Sequence, residues 1–274
     1  MIPHRFDSWE SYFYPETIAW TGLGTLRNKL GERDAVVLRV KEYGRAQVRE
    51  RDLLSGSVPL ARTYDADHVR ALHRHLFQDV YEWAGEYRTV NITKGQGRSF
   101  GDVTTGEVDR YLADVQRFVA GAGWGRLDRD QFAERAATVF AHLNQAHPFR
   151  EGNGRTSKVF LEHVAEGSRF TFDYSRVTPQ EWNQASELSR PGYGRYEPVP
   201  DQLGPVFQAI VQDRLGGPKS TGPGSSLARS ASLRAAAYPQ AATRATQQNT
   251  TPSPQASRSG PYLPGRGTGS GIGK

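Results

Sequence analysis

The 274-residue chain contains no cysteine and a single methionine. Without thiols it can form neither a disulfide framework nor a thiolate zinc site, and a reducing cytoplasm is the expected setting. No apolar run approaches the roughly 20 residues of a membrane-spanning helix. The opening Met1-Ile2-Pro3-His4-Arg5-Phe6-Asp7 lacks the order of a signal peptide. Acidic residues are missing from one whole region. Residues 216–274 hold seven of the 35 Lys and Arg residues and none of the 29 Asp and Glu residues. Residues 1–215 therefore carry 28 basic against 29 acidic groups, and the tail supplies the whole net charge of +6. That tail is rich in Gly, Ser, Pro, Thr, Ala and Gln and poor in large apolar residues. It cannot bury enough surface to offset chain entropy, so 216–274 is expected to be a disordered basic tail behind one folded unit, 1–215.

What is present in 1–215 is mostly helical periodicity. Phe132, Ala136, Val139, Phe140 and Leu143 recur at helical spacing over 128–146, behind Asp128 or Asp130 as cap. Pro148 disfavours helical backbone at His147, so the helix should stop there. A second helix is expected from near Gly154 through Val159, Phe160 and Val164. Val69, Leu72, Leu76, Phe77 and Val80 form a stripe behind Asp65 or Asp67, and Val108, Tyr111, Leu112, Val115, Phe118 and Val119 form another. Thr178-Pro179 opens a helix presenting Trp182, Ala185 and Leu188, and a last helix is expected over about 201–215. Trp20, Trp83 and Trp182 read as core residues. Only 88–100 looks extended, with Thr89, Val90 and Ile92 before a Lys94-Gly95-Gln96-Gly97 turn, which predicts a hairpin. No internal repeat is visible. The fold class is all-α, a helical bundle with one small β-hairpin.

One stretch concentrates chemistry: His147-Pro148-Phe149-Arg150-Glu151-Gly152-Asn153-Gly154-Arg155. It lies between two helices and opens onto the N-terminus of the second, where orphan N–H groups and the helix dipole favour an anion. Gly152 and Gly154 carry no Cβ, so the backbone can approach phosphate oxygens. Arg155 adds a charge-assisted fork and Asn153 an amide donor. Glu151 would oppose phosphates unless Mg²⁺ lay between them. His147 can accept a proton near neutral pH. Alone, His147 would read as a helix C-terminal histidine favoured by the dipole, and Asn153-Gly154 as an ordinary turn pair; together they read as a base, a metal carboxylate and an anion cradle. Phe149 reads as a core anchor, and His73 and His75 as packing or surface residues rather than metal ligands.

The nine-residue motif resembles the active-site motif of the Fic (filamentation induced by cAMP) family. The segment 76–92, including Trp83-Ala84-Gly85-Glu86-Tyr87-Arg88, resembles the lead into that family's flap hairpin. Tyr14-Pro15 and 26–31 resemble its N-terminal region, so the likeness covers roughly 10–210. The resemblance implies a nucleotidyltransferase that moves AMP from ATP onto a Ser, Thr or Tyr hydroxyl of a target protein, with Mg²⁺. It implies His147 as the base and Glu151 as the metal ligand. Gly152, Asn153, Gly154, Arg155 and Lys158 would hold the nucleotide phosphates. Thr89, Val90, Asn91, Ile92 and Lys94 would be the flap that registers the target strand. Many members carry a second arginine where this chain has Lys158, which keeps the charge but loses the fork. Asn183, Ser186 and Tyr193 or Tyr196 lie where the family closes over the base.

The family also contains a kinase-like variant, and fold alone does not fix the chemistry. The glycine pair Gly152 and Gly154 fits nucleotidyl transfer better. The non-enzymatic alternative is an inert module whose basic tail contacts nucleic acid or a membrane, a less favoured reading. Many Fic proteins are held off by a helix bearing Ser/Thr-x-x-x-Glu-Gly/Asn. Glu151-Gly152 and Glu166-Gly167 are preceded at that spacing by His147 and Glu162, so neither fits the pattern. A separate antitoxin-like inhibitory protein is the expected partner of a toxin-like enzyme. The tail reads equally as a solvated linker or as a segment that resembles type IV export signals, and the latter makes delivery into another cell the alternative to a cytoplasmic site of action.

Overall fold

A computed structural model of the chain describes residues 5–94, 98–214 and the backbone of 244–245. Its core is a helical hairpin, α4 (Arg129–Ala146) and α5 (Asn153–Ala165), both largely buried. The Asp128 side chain accepts from the Gln131 N–H, and the Gln131 side chain returns the bond to the Asp128 backbone, a capping box that starts α4. As Pro148 predicts, α4 ends at His147. Around this pair pack α1 (Ala35–Leu54), α2 (Ala66–Phe77), α3 (Glu107–Gly121), α6 (Pro179–Leu188) and α7 (Gly204–Ile210). Asp65 caps α2 and Thr178 caps α6, both at the expected positions. A single apolar core runs through them, with Leu72, Phe77, Phe132, Val139, Phe149, Val159, Phe160 and Phe207 fully enclosed. Among the described residues no helix is long and apolar enough to cross a membrane.

The expected hairpin is present: β1 (Ile92–Lys94) pairs antiparallel with β2 (Arg98–Ser99), in register Thr93 to Ser99 and Lys94 to Arg98. Its turn, 95–97, lies outside the described residues, as do residues 216–274, expected as a disordered tail, apart from one short piece. Residues Arg244–Ala245 form a strand on the other edge of β1, Ile92 opposite Ala245. A small apolar cluster of Trp9, Phe13, Ile92 and Phe100 lies under the hairpin.

Four expectations need correction. The 20-residue α1 was not anticipated. Its inward face carries Glu42 and Glu50 among Leu38, Ala46, Leu53 and Leu54, and those two carboxylates break the apolar stripe. The helix expected over 201–215 is a short 3₁₀ turn and then α7, which stops at Ile210; Val211–Asp213 becomes a strand. That strand pairs with Phe170–Phe172, so the bundle holds a second β pair besides the hairpin. Arg129 takes the Gln208 and Val211 carbonyls, which a longer helix would have bonded internally, and Arg214 ties the end of the strand to the Ala165 and Phe170 carbonyls. Trp20 is not core but 97% exposed, at the tip of a tight turn closed by the Gly22 N–H on the Ala19 carbonyl.

Candidate active site

The loop between α4 and α5 brings the motif residues to the start of α5. His147 takes left-handed backbone (φ 40°, ψ 56°), unusual for a residue with a Cβ, and this turns the chain sharply out of α4. Gly152, at φ 83°, makes the second turn. A Cβ there would sit 2.4 Å from Phe77 Cε2 and Cζ, so both the angle and the close approach to Phe77 demand glycine. The first intrahelical bond of α5 runs from the Thr156 N–H to the Gly152 carbonyl, which leaves the N–H groups of Asn153, Gly154 and Arg155 before the first internal acceptor.

His147 is buried, and its ring lies flat on Phe100, with centroids 3.7 Å apart. Nδ1 lies 3.3 Å from the Asn144 carbonyl, an acceptor, so Nδ1 carries the proton and Nε2 keeps its lone pair. Burial, helped by the cations Arg88, Lys94 and Arg190, holds the imidazole well below its ordinary pKa. The ring is therefore neutral around neutrality, with its lone pair at Nε2. It lines a narrow cleft with Lys94, Asn144, Asn153, Gly154, Ser157, Asn183 and Ser186. Beside the cleft opens a cavity of about 550 Å³ lined by Lys94, Phe100, Asn144, Gln180, Asn183, Ser186, Glu187 and Arg190, a size that suits a small ligand.

The other motif side chains have distinct tasks. Asn153 is committed to its own loop: Oδ1 accepts from the Phe149 N–H at 2.9 Å and Nδ2 donates to the Phe149 carbonyl at 2.7 Å. Phe149 is fully buried and stacks on His73, centroids 3.7 Å apart. His73 in turn accepts the Gly85 N–H at Nδ1 and so donates from Nε2 to the Glu151 carbonyl at 3.0 Å. It is a loop brace, kept neutral by burial with its pKa pushed down to about 3. Arg150 lies over Trp9 and Phe13 and ties the N-terminal segment to the loop.

Glu151 is a partly exposed carboxylate that accepts the Gly152 N–H at 3.0 Å and lies 3.7 Å from Arg155. Among the described residues no group of three or more acidic or His side chains could cage a metal. A lone carboxylate at a helix start still fits Mg²⁺, which is commonly held by one or two carboxylates plus phosphate oxygens and water.

Arg155 and Lys158 do not line the cleft or the cavity. Arg155 is paired with Glu42 of α1, whose other oxygen accepts from the Tyr81 hydroxyl. Its guanidinium also lies over Tyr43 and Phe77. Burial alone would lower its pKa, but Glu42 and Glu151 overcome that and raise it. Lys158 is buried with its ammonium 4.9 Å from the Tyr174 ring centre and 4.7 Å from that of Trp182. Burial pushes its pKa down to about 7, against the pull of Glu50. Of the base-closing candidates, Asn183 and Ser186 line the cavity. Tyr193 is fully exposed, and Tyr196 is stacked on Tyr111 with its hydroxyl on Asp114.

Of the flap residues, Ile92 is buried, Thr89 bonds the Phe6 carbonyl and the Tyr12 hydroxyl, and Asn91 accepts from the Val103 N–H. Only Lys94 faces the cavity. Sequence reading assigned no task to Glu42, Phe100 or Arg190, and read Arg88 only as part of the lead into the hairpin. No motif marks them, and it is tertiary folding that brings them to the site.

Residues 63–165 match the Fic/DOC family. The chain is 35% identical over 178 residues to the protein adenylyltransferase VbhT of Bartonella schoenbuchensis, covering 65% of this chain but 35% of VbhT, so it spans about a third of that relative's length. It is 33% identical over 172 residues to the probable protein adenylyltransferase y4lH of Sinorhizobium fredii, covering 62% of this chain and 85% of that protein. Its fold is similar to that of a BepC protein from Bartonella tribocorum solved with AMPPNP, at TM-score 0.60 and 26% identity, covering 75% and 98% of the two chains. A Fic domain of a VirB-translocated effector from Bartonella quintana is equally similar in fold, at TM-score 0.60 and 26% identity, covering 74% and 92%.

Proposed function

Because this chain belongs to the Fic/DOC family, we propose that it transfers AMP from ATP to a hydroxyl side chain of another protein. The observation that carries the reading is His147: a buried neutral imidazole with Nε2 unprotonated, beside the start of α5, lining a narrow cleft next to a cavity of about 550 Å³. The acceptor hydroxyl gives its proton to Nε2 as its oxygen attacks the α-phosphorus. The bond from that phosphorus to the bridging oxygen breaks, and pyrophosphate leaves. The N–H groups of Asn153, Gly154 and Arg155 receive phosphate oxygens. Glu151 would hold Mg²⁺, which offsets phosphate charge when bound. Asn183 and Ser186 would face the nucleoside, and the hairpin would register the acceptor segment by strand pairing.

Similar structures solved with AMPPNP and with ADP support the donor class. The VirB-translocated neighbours support export as an alternative to action in the producing cytoplasm. A separate inhibitory protein completes the reading: expression of the chain alone should slow a bacterial host, and His147→Ala should not.

The test uses purified protein, Mg²⁺ and a cell lysate with ATP labelled at either the α- or the γ-phosphate. Label from the α-position should appear on an acceptor protein with wild type and not with His147→Ala. Transfer of the γ-label would make the chain a kinase, and equal transfer by His147→Ala would remove the base.

A further inference from the structure

The geometry points to Arg88 and Phe100 as positioning residues that make the alignment of His147 depend on the stem of the flap hairpin. This rests on the reading of His147 as the base. Arg88 is 2% exposed, and its guanidinium has no carboxylate in ion-pair contact among the described residues. It is bonded instead to chain carbonyls from three places. Nε donates to the His147 carbonyl at 2.9 Å, Nη1 to the Val90 carbonyl at 2.8 Å, and Nη2 to the Gly101 carbonyl. The Arg88 N–H adds a bond to the Pro148 carbonyl at 2.8 Å. Val90 lies on the entry to the hairpin and Gly101 on its exit. One rigid, planar fork therefore joins both ends of the flap to the backbone of the base.

That backbone is the left-handed turn at His147, a conformation that persists only where surrounding structure enforces it. Phe100 supplies the other constraint. It follows β2 directly, its N–H bonds the Ile92 carbonyl at 3.2 Å, and its ring lies on the imidazole at an interplanar angle of 16°. Arg190 holds the same ring, 4.2 Å from its centre, while donating to the Lys94 carbonyl at 3.0 Å. A shift of the hairpin stem moves Phe100 and the two carbonyls on Arg88 together, and with them the plane of the imidazole. An acceptor segment that took the place of Arg244–Ala245 on the edge of β1 would press on these same contacts, so docking and base alignment become one event.

The test compares wild type with Arg88→Lys and Phe100→Leu, both checked by thermal melting. Lysine keeps the charge but cannot reach three directions, and leucine keeps an apolar side chain without a stacking face. Each should lower the label-transfer rate at saturating ATP at least tenfold, and for Arg88→Lys, which lies outside the cavity lining, the Kd for a non-hydrolysable ATP analogue should stay within twofold. The ¹⁵N shifts of the His147 ring, read without any turnover, should move from one tautomer toward a mixture. A transfer rate within twofold of wild type overturns the proposal, as does a loss in Arg88→Lys matched by equal loss of analogue binding. If His147→Ala itself keeps full transfer, the base reading fails, yet the ring shifts still report whether Arg88 and Phe100 hold the imidazole.

Discussion

Glu42, midway along α1, is ion-paired with Arg155 of the motif, and both are nearly excluded from solvent. The guanidinium offered by the motif as a phosphate fork is thereby occupied by a carboxylate from a helix with no motif of its own. The other terminal nitrogen, Nη1, is buried without a hydrogen-bond partner among the described residues. A triphosphate approaching Arg155 would meet one open donor and one already engaged.

Replacing Glu42 by Gln should release Nη2 while keeping an acceptor for the Tyr81 hydroxyl. The Kd for an ATP analogue should tighten several-fold. Melting should fall, since removing one partner of a buried pair costs roughly 3–5 kcal/mol when nothing replaces it and less when an amide does. Calorimetric titration showing weaker binding would mean that Glu42 orients Arg155 for phosphate rather than competing with it.

Gly152→Ala should be among the most damaging single changes. It forces a left-handed angle on alanine and drives a Cβ to 2.4 Å from Phe77, a combination expected to cost on the order of 3 kcal/mol. Phe77→Ala added to it should recover the steric part alone. Urea unfolding in which Gly152→Ala matches wild type would contradict the geometry of the loop.

Lys158→Arg should not strengthen ATP binding. The ammonium is enclosed by Tyr174 and Trp182 and lines neither the cleft nor the cavity. A longer, planar head overpacks that space at about 1–3 kcal/mol, so melting should drop while the analogue Kd stays within twofold. Tighter analogue binding would return Lys158 to the phosphates.

Acid should unfold the protein through its buried histidines. His68 Nε2 and His163 Nδ1 are 2.9 Å apart in the core, and burial lowers their pKa values to about 4 and about 2. The unfolded chain takes up protons near pH 6.5 while the folded one does not. The stability from neutral burial is thus whole above pH 6.5 and is lost as pH falls toward 4. The loss for His68 alone is on the order of 3 kcal/mol. Urea unfolding free energies that stay level from pH 7 to pH 4 would rule this out.

The sequence by itself determined the parts of this protein that rest on local rules. Helices α2 to α6 follow from apolar periodicity and capping residues, the stop at His147 from Pro148, and the hairpin from alternation before a glycine-rich turn. The motif's place at a helix start follows from the same rules. Tertiary structure decided the rest, because partners distant in sequence leave no local mark. Helix α1 escaped notice because Glu42 and Glu50 occupy inward positions where periodicity looks for apolar residues, and Glu42 is acceptable there because Arg155 and Tyr81 meet it. The strand at Val211–Asp213 replaces helix because Phe170–Phe172 offers it a ladder. Asn153 and Lys158 look like phosphate ligands in one dimension. In three, the amide closes on Phe149, and the ammonium turns away into an aromatic pocket. Arg88 and Phe100 reach His147 only when the hairpin folds back over α4, which no spacing in the chain announces.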